Sequence, residues 1–227
     1  MATERAAWSK LIEALKRNNW LRFNQFEALL PARCALCAAP VPAGLLCAAC
    51  ADDLPWRTHT ALRMDGLQQC HASFRYEFPV LEFIGRGKFA GDAGLMTLLG
   101  RLMAARPPVA LGEVDCLCAI PLPYWRGVRR GYNQALEIGR PIAGALGLPV
   151  FDALQRSGGL PTQRSLSRKG RLRNLAGAFV ADPGVAGRRI LLVDDVTTTG
   201  STLRQAARAL HTAGATAVVA WAAAAVD

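Results

Sequence analysis

The sequence lacks any uninterrupted apolar run of about 18 residues, although 52% of its 227 residues are hydrophobic. Such a run is the minimum for a membrane-spanning helix, so no membrane span is expected. The first residues, "MATERAAWSKLIEALKRNNW", mix both charges and contain no apolar stretch before a cleavage site, which excludes a secretory signal. We therefore expect a cytoplasmic protein, in a reducing compartment that disfavours disulfides.

Acidic residues are also few. The sequence has 17 Asp and Glu but 27 Lys and Arg, which gives a formal net charge of +10. Most of the cations are arginines, and they concentrate in "YWRGVRRGYNQ" (124–134) and "QRSLSRKGRLRN" (163–174). This balance favours phosphate-bearing partners, either a pyrophosphate or a nucleic acid. Composition does not separate the two, and a basic face that only keeps the protein soluble is the plain alternative.

The cysteines fall into two groups with different spacing. "CALCAAPVPAGLLCAAC" contains two Cys-x-x-Cys pairs, a pattern typical of a closed tetrahedral zinc site with a structural role. A redox Cys-x-x-Cys or an iron–sulfur cluster remains an alternative. Cys116 and Cys118 alternate as in a strand, which predicts buried core thiols, and Cys70 with His71 could supply a further metal ligand. The predicted zinc ligands are Cys34, Cys37, Cys47 and Cys50.

The segment "RRILLVDDVTTTGSTLRQA" (188–206) joins an apolar run to two carboxylates and a hydroxyl-rich turn. The apolar run predicts a buried parallel strand, and Ser201 or Thr202 can cap the helix that follows. Gly200 permits a positive φ in the turn, and Gly214 can end the helix. With "TAVVAWA" (216–222) as the next strand, the segment predicts a βαβ unit.

Ligands of such units bind at the carboxyl ends of the strands. Backbone N–H groups and hydroxyls at the helix N-terminus favour a phosphate, while Asp194 and Asp195 can accept hydrogen bonds from sugar hydroxyls. Because they sit at a strand end, we expect both carboxylates to lie outside the core. The pattern indicates a 5′-phosphorylated ribose, although an acidic turn with a threonine-rich cap is the simpler alternative. No Gly-Lys-Ser/Thr follows the glycine, which excludes a P-loop.

Four segments divide the chain. Residues 1–30 predict a helical leader, 31–55 the zinc-binding module, 56–79 a linker and 80–227 the main domain. Within the main domain, "GDAGLMTLLGRLMAAR" predicts an amphipathic helix starting near Asp92. "VDCLCAIPL" predicts a buried strand, and "NQALEIGRPIAGALG" a helix that Pro141 kinks.

"ILLVDDVTTTGST" resembles the 5-phosphoribosyl-1-pyrophosphate (PRPP) motif of the type I phosphoribosyltransferases. Together with the cysteine module, "KFAGD", "IPLPYWRGVRRGYNQA" and "QRSLSRKGRLRNLAGAF", in that order, it resembles the ComF family, which acts in DNA uptake during natural transformation. The resemblance covers roughly residues 25–225. It implies an α/β fold, a parallel sheet flanked by helices like that of type I phosphoribosyltransferases, preceded by a small zinc-ribbon-like module.

The resemblance also implies roles for particular residues. The acids would bind the ribose and the loop its 5′-phosphate, the residues being Asp194, Asp195, Thr197, Thr198, Thr199, Gly200, Ser201 and Thr202. Arg126, Arg129, Arg130, Asn133 and Gln134 would bind pyrophosphate. A mobile loop would contribute Arg168, Lys169, Arg171 and Asn174. Mg2+ would accompany PRPP, and no residue stands out as a general acid or base.

The sequence is consistent with two functions. One is a transferase that displaces pyrophosphate from C1 of the ribose with a nitrogen nucleophile, its acceptor unknown. No C-terminal hood to choose that acceptor is expected, because the chain ends soon after strand 216–222. The other is a non-catalytic, PRPP-responsive protein that handles single-stranded DNA, for which exposed aromatic residues in a basic groove would be suited. The aromatic candidates for that groove are Tyr124, Trp125 and Tyr132.

Overall fold

A computed structural model describes residues 33–41, 45–57, 64–123, 131–156 and 178–226. The chain divides into two compact units, Met1–Asp53 and Leu54–Asp227. The helix expected over residues 1–30 lies outside the described ranges. Among the helices that the structure describes, none has both the length and the apolarity needed to cross a bilayer.

The first unit contains one short helix and a tight turn around the cysteines. Helix α1 (Ala48–Asp52) begins after Cys47, whose sulfur accepts a hydrogen bond from the backbone N–H of Cys50. At the preceding knuckle, the N–H of Ala38 donates to the carbonyl of Cys34, and Ala38 has a φ of 60°. Each Cys-x-x-Cys pair therefore forms a turn that brings its two sulfurs together.

The second unit is built on a parallel four-stranded sheet with the order β1-β6-β5-β2. Of its central strands, β6 is apolar along its whole length and β5 is apolar over residues 190–193, as expected where both faces are covered. A separate antiparallel pair is formed by β3 (Leu154–Arg156) and β4 (Phe179–Ala181). The strands of the main sheet are β1 (Gln69–Arg75), β2 (Cys116–Ala119), β5 (Arg189–Thr197) and β6 (Ala217–Ala225).

Helices cover both faces of this sheet. The helices of the second unit are α2 (Val80–Phe89), α3 (Ala93–Ala105), α4 (Gln134–Leu146) and α5 (Ser201–Thr212). Leu117 on β2 packs against Gly139 of α4, whereas Cys116 and Cys118 join a core cluster with Leu203 of α5. Because neighbouring strand residues face opposite sides, α4 and α5 lie on opposite faces. The predicted α/β fold with a parallel sheet flanked by helices is confirmed.

The segment 56–79, expected to be a linker, instead supplies an edge strand. Strand β1 pairs in parallel with β6, and both Cys70 and Phe74 are fully buried. The prediction failed because "QCHASFR" mixes polar, small and apolar residues and lacks the β-branched run that marks a buried strand. Its hydrogen bonds to β6, a strand near the other end of the chain, provide the stabilisation that the local sequence does not.

The other elements form where the sequence placed them, although β5 and β6 are longer than predicted and β2 is shorter. Asp92 caps α3, since its Oδ1 accepts a hydrogen bond from the N–H of Leu95 at 3.3 Å. Helix α4 contains Pro141 and ends at Gly147, which has a φ of 66°. The βαβ unit β5–α5–β6 forms as predicted, and its connection returns the chain to the neighbouring parallel strand.

Candidate functional site

The four cysteines of the first unit form one cluster. The sulfurs of Cys34, Cys37, Cys47 and Cys50 all lie within 4.8 Å of one another. The Sγ atoms of Cys37 and Cys47 are 3.7 Å apart. Four sulfurs at about 2.3 Å from a tetrahedral zinc would be separated by about 3.8 Å, so the spacing fits a metal such as zinc.

Each of these sulfurs influences the pKa of its neighbours. Burial works to raise the pKa of Cys34, but backbone N–H donors from the two knuckles outweigh it and lower that pKa to about 6. Burial and the neighbouring sulfurs raise the pKa of Cys50. The protein alone therefore favours thiolate at one position and thiol at another, so a cation is needed before four thiolates can coexist.

The two acids stand at the carboxyl end of β5, where the sheet meets the following loop. Asp194 is 8% exposed, contrary to the expectation that neither acid would be a core residue. Burial, followed by the charge of Asp195, raises the pKa of Asp194 to about 8. Its Oδ1 accepts a hydrogen bond from the N–H of Asp195 at 2.8 Å. At neutral pH Asp194 is therefore largely protonated.

Lys88, at the end of α2, forms an ion pair with one of these two acids. Its Nζ lies 2.9 Å from Oδ2 of Asp195, and both side chains are mostly buried. Lys88 had no predicted role, although it begins "KFAGD", one of the segments that carry the family resemblance. A lysine in the last turn of a helix is common on general grounds, so only the fold reveals its contact with Asp195.

The loop from Thr197 to Thr202 connects β5 to the N-terminus of α5. Gly200 is the N-cap, with a φ of 70°, so the predicted cap by Ser201 or Thr202 is wrong. In the first turn of α5, the N–H of Ser201 donates to Thr199 Oγ1 at 3.4 Å. The Met64 side chain packs so closely against Gly200 that an added methyl group would collide with it.

The hydroxyls of this loop differ in accessibility. Thr198, Thr199 and Ser201 are exposed, whereas Thr197 is 3% exposed and its Oγ1 has no hydrogen-bond partner. Thr202 is partly buried and lines the cavity beside the acids. The fold thus brings exposed hydroxyls, a helix N-terminus and two carboxyl groups together, as the sequence predicted.

Asp194, Asp195 and Thr202 line a cavity of about 610 Å³, a volume typical of small-molecule sites. It lies where the chain leaves β2 and β5, at the same edge of the sheet. Its lining residues come from the end of α2, the loop after β2, the start of α4, β3 and β5 with the loop that follows. They are Lys88, Phe89, Ala90, Gly91, Ile120, Pro121, Leu122, Pro123, Asn133, Gln134, Ala135, Arg156, Asp194, Asp195, Val196 and Thr202.

Asn133 and Gln134 line this cavity, but their amides support the backbone. Asn133 caps α4 through Oδ1, and its Nδ2 donates to the carbonyl of Ile120 at 3.0 Å. Gln134 is 1% exposed and donates through Nε2 to the carbonyl of Gly87 at 3.3 Å. The Tyr132 hydroxyl donates to the same carbonyl, so this ring is a structural contact and not the exposed aromatic expected for nucleic acid.

Arg156 is a second cavity cation that sequence reasoning missed. Its Nε donates to the carbonyl of Pro121 at 2.9 Å, and its guanidinium lies 4.8 Å from the centre of the Phe179 ring. Both contacts hold the arginine at the cavity wall, where it acts electrostatically on Asp194. Nothing in the local sequence around Arg156 distinguishes it from the other arginines of this basic chain.

Other predicted site residues fall outside the described ranges. These are the pyrophosphate candidates Arg126, Arg129 and Arg130, the mobile-loop candidates Arg168, Lys169, Arg171 and Asn174, and the aromatic residues Tyr124 and Trp125.

The remaining cysteines lie in the core. Cys70, Cys116 and Cys118 are buried in the cluster that packs on α5, as predicted for the latter two. Burial raises the pKa of Cys70 and of Cys118 to about 12. Cys70 and His71 point to opposite faces of β1, and His71 Nε2 contacts Gln69 Oε1 at 2.9 Å, so the pair does not form a joint metal ligand set.

Part of the chain matches a known domain family. Residues 121–226, which include β5, the acidic pair and the loop, match the phosphoribosyl transferase domain family. The match begins just after β2 and covers β3 to β6, α4, α5 and most of the cavity lining.

Several curated proteins are similar over a larger part of the chain. The "DNA utilization protein YhgH" of Escherichia coli K12 is 35% identical over 152 residues, covering 64% of this chain and 67% of that protein. "Competence protein F" of Haemophilus influenzae is 34% identical over 155 residues, covering 64% and 68%. "Competence protein ComFC" of Bacillus subtilis is 30% identical over 190 residues, covering 82% and 74%.

Among solved structures, the glutamine phosphoribosylpyrophosphate amidotransferase of B. subtilis gives a TM-score of 0.42 at 24% identity, covering 60% of this chain and 27% of that chain. The similarity to the two competence proteins, 34% and 30% identical over 68% and 74% of their lengths, shows the family. The chain therefore belongs to the ComF family, whose members carry a phosphoribosyltransferase domain.

Proposed function

We propose that the cavity binds PRPP and that the protein transfers its 5-phosphoribosyl group to an acceptor with loss of pyrophosphate. The observation that carries this proposal is the position of Asp194 and Asp195 beside the loop that opens α5, within one cavity. The acids would accept hydrogen bonds from the ribose hydroxyls. Backbone N–H groups at the start of α5 and the hydroxyls of Thr198, Thr199 and Ser201 would bind the 5′-phosphate.

Pyrophosphate needs cations near the other end of the sugar. Lys88 and Arg156 line the cavity and supply two positive charges. We assign pyrophosphate to these residues together with the arginines at 126, 129 and 130 that the sequence suggested. Asn133 and Gln134 would shape this part of the cavity through their backbone contacts.

The reaction is a displacement at C1 of the ribose. The bond from C1 to the pyrophosphate oxygen breaks and its electron pair leaves with pyrophosphate. The lone pair of an acceptor nitrogen forms the new C1–N bond, and the proton of that nitrogen passes to solvent. The acids face the developing positive charge on the ribose ring, so the chain contributes mainly positioning and electrostatic stabilisation.

Mg2+ fits this proposal, because Asp194 and Asp195 provide the hard carboxylate oxygens that it prefers, and when bound it would offset the charge of pyrophosphate. For the first unit we propose zinc, held by Cys34, Cys37, Cys47 and Cys50. Four protein ligands leave no open position, so this zinc would have a structural role.

We place this activity in DNA utilisation or uptake, on the names of the similar proteins from E. coli, H. influenzae and B. subtilis. The non-catalytic alternative, in which bound PRPP regulates the handling of single-stranded DNA, is favoured by the same names and by the basic composition. Release of pyrophosphate separates the two proposals, since only the transferase produces it.

The test is titration calorimetry with PRPP and Mg2+ on the full chain. Saturable binding is expected for the natural protein and its loss in the double variant Asp194→Asn, Asp195→Asn. The matched control is Asp52→Asn, Asp53→Asn, a second adjacent acidic pair that changes charge equally but does not line the cavity. No binding to the natural protein, or equal binding by the double variant at Asp194 and Asp195, would overturn the proposal.

A further inference from the structure

Met64 covers the glycine at which the loop after β5 enters helix α5. The three atoms nearest to the open side of Gly200 are Sδ, Cε and Cγ of Met64, and an added methyl group would collide with them. Gly200 is the N-cap of α5 and has a φ of 70°. Met64 therefore packs on the backbone at the point where the proposed phosphate-binding loop joins the helix.

The turn that carries Met64 is well defined. The N–H of Leu67 donates to the carbonyl of Met64 at 3.2 Å, and Gly66, with a φ of 80°, takes the third position, as in a type II turn. Met64 and Leu67 both pack against the core cluster that α5 shares with the sheet. The N–H of Gln68 then donates to the carbonyl of Val218 at 2.9 Å, where β1 is about to begin. The turn is therefore joined to both the core and the sheet.

His211 connects the same turn to the other end of α5. Its Nε2 lies 3.1 Å from the carbonyl oxygen of Gly66, and its Nδ1 lies 3.0 Å from that of Ala215. Because His211 is in the last turn of α5 and Gly200 precedes the first, the turn 64–67 contacts both ends of the helix. The support of Met64 therefore comes from α5 and the core, and not from the loop that it covers.

The loop itself has weak constraints on its backbone. Glycine has no side chain to restrict it and adopts positive and negative φ with similar ease. The hydrogen bond from the N–H of Ser201 to Thr199 Oγ1 is long at 3.4 Å, and the side chains of Thr198 and Thr199 are exposed. A phosphate requires the N–H groups of this loop to point at one anion, so any backbone freedom left in the loop must be lost on binding. A side chain packed on Gly200 removes part of that freedom beforehand.

We propose that Met64 is a positioning residue for the 5′-phosphate, because by packing on Gly200 it holds the loop in the conformation that binds the anion. This inference rests on the proposed PRPP site, since it assigns the residue that prepares one end of that site. Met64 does not line the cavity, so it acts through the backbone of Gly200 and not by contact with the ligand. The sequence does not reveal this role, because the two residues are distant in the chain.

The experiment measures the affinity of the full chain for ribose 5-phosphate, which carries the sugar and the phosphate but no leaving group, and for PRPP with Mg2+. Titration calorimetry compares the natural protein with Met64→Ala, Met64→Leu and Leu67→Ala. Met64→Ala removes the atoms that lie on Gly200, whereas Met64→Leu keeps a side chain of similar volume. Leu67→Ala is the matched control, because it removes a side chain of the same turn from the same core cluster. The melting temperature of each variant reports the loss of stability separately.

Met64→Ala should weaken the binding of both ligands by about 5- to 30-fold, the factor that corresponds to ordering one further backbone residue on binding. Met64→Leu should bind them as the natural protein does. Leu67→Ala should lower the melting temperature, as Met64→Ala does, but leave both affinities unchanged. In amide NMR spectra of the unliganded protein, Met64→Ala should shift the signals of residues 198–202 more than Leu67→Ala does.

A shorter truncation covers the case in which Met64→Ala does not fold. Met64→Val keeps the apolar stem but lacks Sδ and Cε, the atoms nearest to Gly200, and should show the same loss of affinity. Natural affinity in the folded truncation variants, or an equal loss of affinity in Leu67→Ala, would overturn the inference.

The outcomes also separate this inference from the proposed function. If ribose 5-phosphate and PRPP both fail to bind the natural protein, the proposed site is wrong and the role of Met64 falls with it. If the ligands bind the natural protein and Met64→Ala equally well, the PRPP site stands and only the role of Met64 falls. A loss of affinity in Met64→Ala that Met64→Leu restores supports both.

Discussion

At the scale of single residues, the burial of Asp194 at the cavity lowers the stability of the fold. It follows four fully buried apolar residues of β5 and is itself 8% exposed, next to a second acid. Burial and the charge of Asp195 raise its pKa to about 8. The folded protein therefore holds a proton that the unfolded chain, with an ordinary aspartate pKa near 3.8, has already released at neutral pH.

The sign of the pH dependence follows from this difference. Between about pH 4 and pH 8 the folded state binds more protons at this site than the unfolded state, so the contribution of Asp194 to stability falls as pH rises. Asp194→Asn should remove this penalty, because the amide oxygen can still accept the hydrogen bond from the N–H of Asp195. We expect a melting temperature at pH 8 that is several degrees higher, from roughly 1–3 kcal/mol.

Thermal denaturation measured from pH 5 to pH 9 tests this prediction. The variant should show a flatter decline in melting temperature with pH than the natural protein. Asp152→Asn, which makes the same change at an exposed aspartate outside the cavity lining, is the control and should follow the natural curve. Equal slopes for the natural protein and Asp194→Asn would mean that Asp194 is ionised in the fold.

At the scale of elements, the contact between α3 and α4 depends on a glycine. A methyl group added at Gly100 would collide with the backbone carbonyl oxygen of Ile138, and a backbone atom cannot move aside as a flexible side chain can. This close approach lets α4 pack against Leu117 of β2 while α3 packs on α4. It thereby positions Asn133 and Gln134 at the cavity.

Gly100→Ala should destabilise the protein by about 1–3 kcal/mol despite the better helix propensity of alanine, because the two helices must separate. Gly144→Ala, in an exposed position of α4 with open space around it, should instead stabilise by up to about 1 kcal/mol. Urea denaturation of both variants measures the difference. A Gly100→Ala variant as stable as Gly144→Ala would show that α3 and α4 do not approach each other so closely.

At the scale of the whole molecule, the two units should respond separately to loss of metal. The cysteine cluster lies entirely in the first unit, and the parallel sheet entirely in the second. Chelation of zinc, or Cys37→Ser, should speed hydrogen exchange in residues 33–53 and leave exchange in β5 and β6 unchanged. The metal content should fall from one zinc per chain toward none.

Cys118→Ser provides the reciprocal control. It places a hydroxyl in the buried core of the second unit, so it should destabilise the sheet while the zinc content stays at one per chain. If chelation exposed the amides of β5 and β6 as well, the metal would be stabilising both units. Absence of zinc, or an iron chromophore, would contradict the assignment of the cluster.

Much of the candidate site could be predicted from the local sequence because its parts are contiguous in the chain. The acids, the loop and Gly200 lie within one βαβ unit, where strand, turn and helix signals occur in order along the chain. The cysteine cluster was readable for the same reason, since two short knuckles bring their own sulfurs together. Strand β1 was not readable, because its residues acquire strand character only by pairing with β6.

The sequence by itself determined the α/β class, the cysteine cluster and the acidic pair with its hydroxyl-rich loop, because each depends on residues close together in the chain. Only the tertiary structure decided which side chains surround that pair. It buried Asp194, brought Lys88 and Arg156 to the cavity, engaged the amides of Asn133 and Gln134 with the backbone and packed Met64 against Gly200. These contacts join residues that are distant in the chain, and they form only when the helices pack on the sheet and bring the loops to one edge.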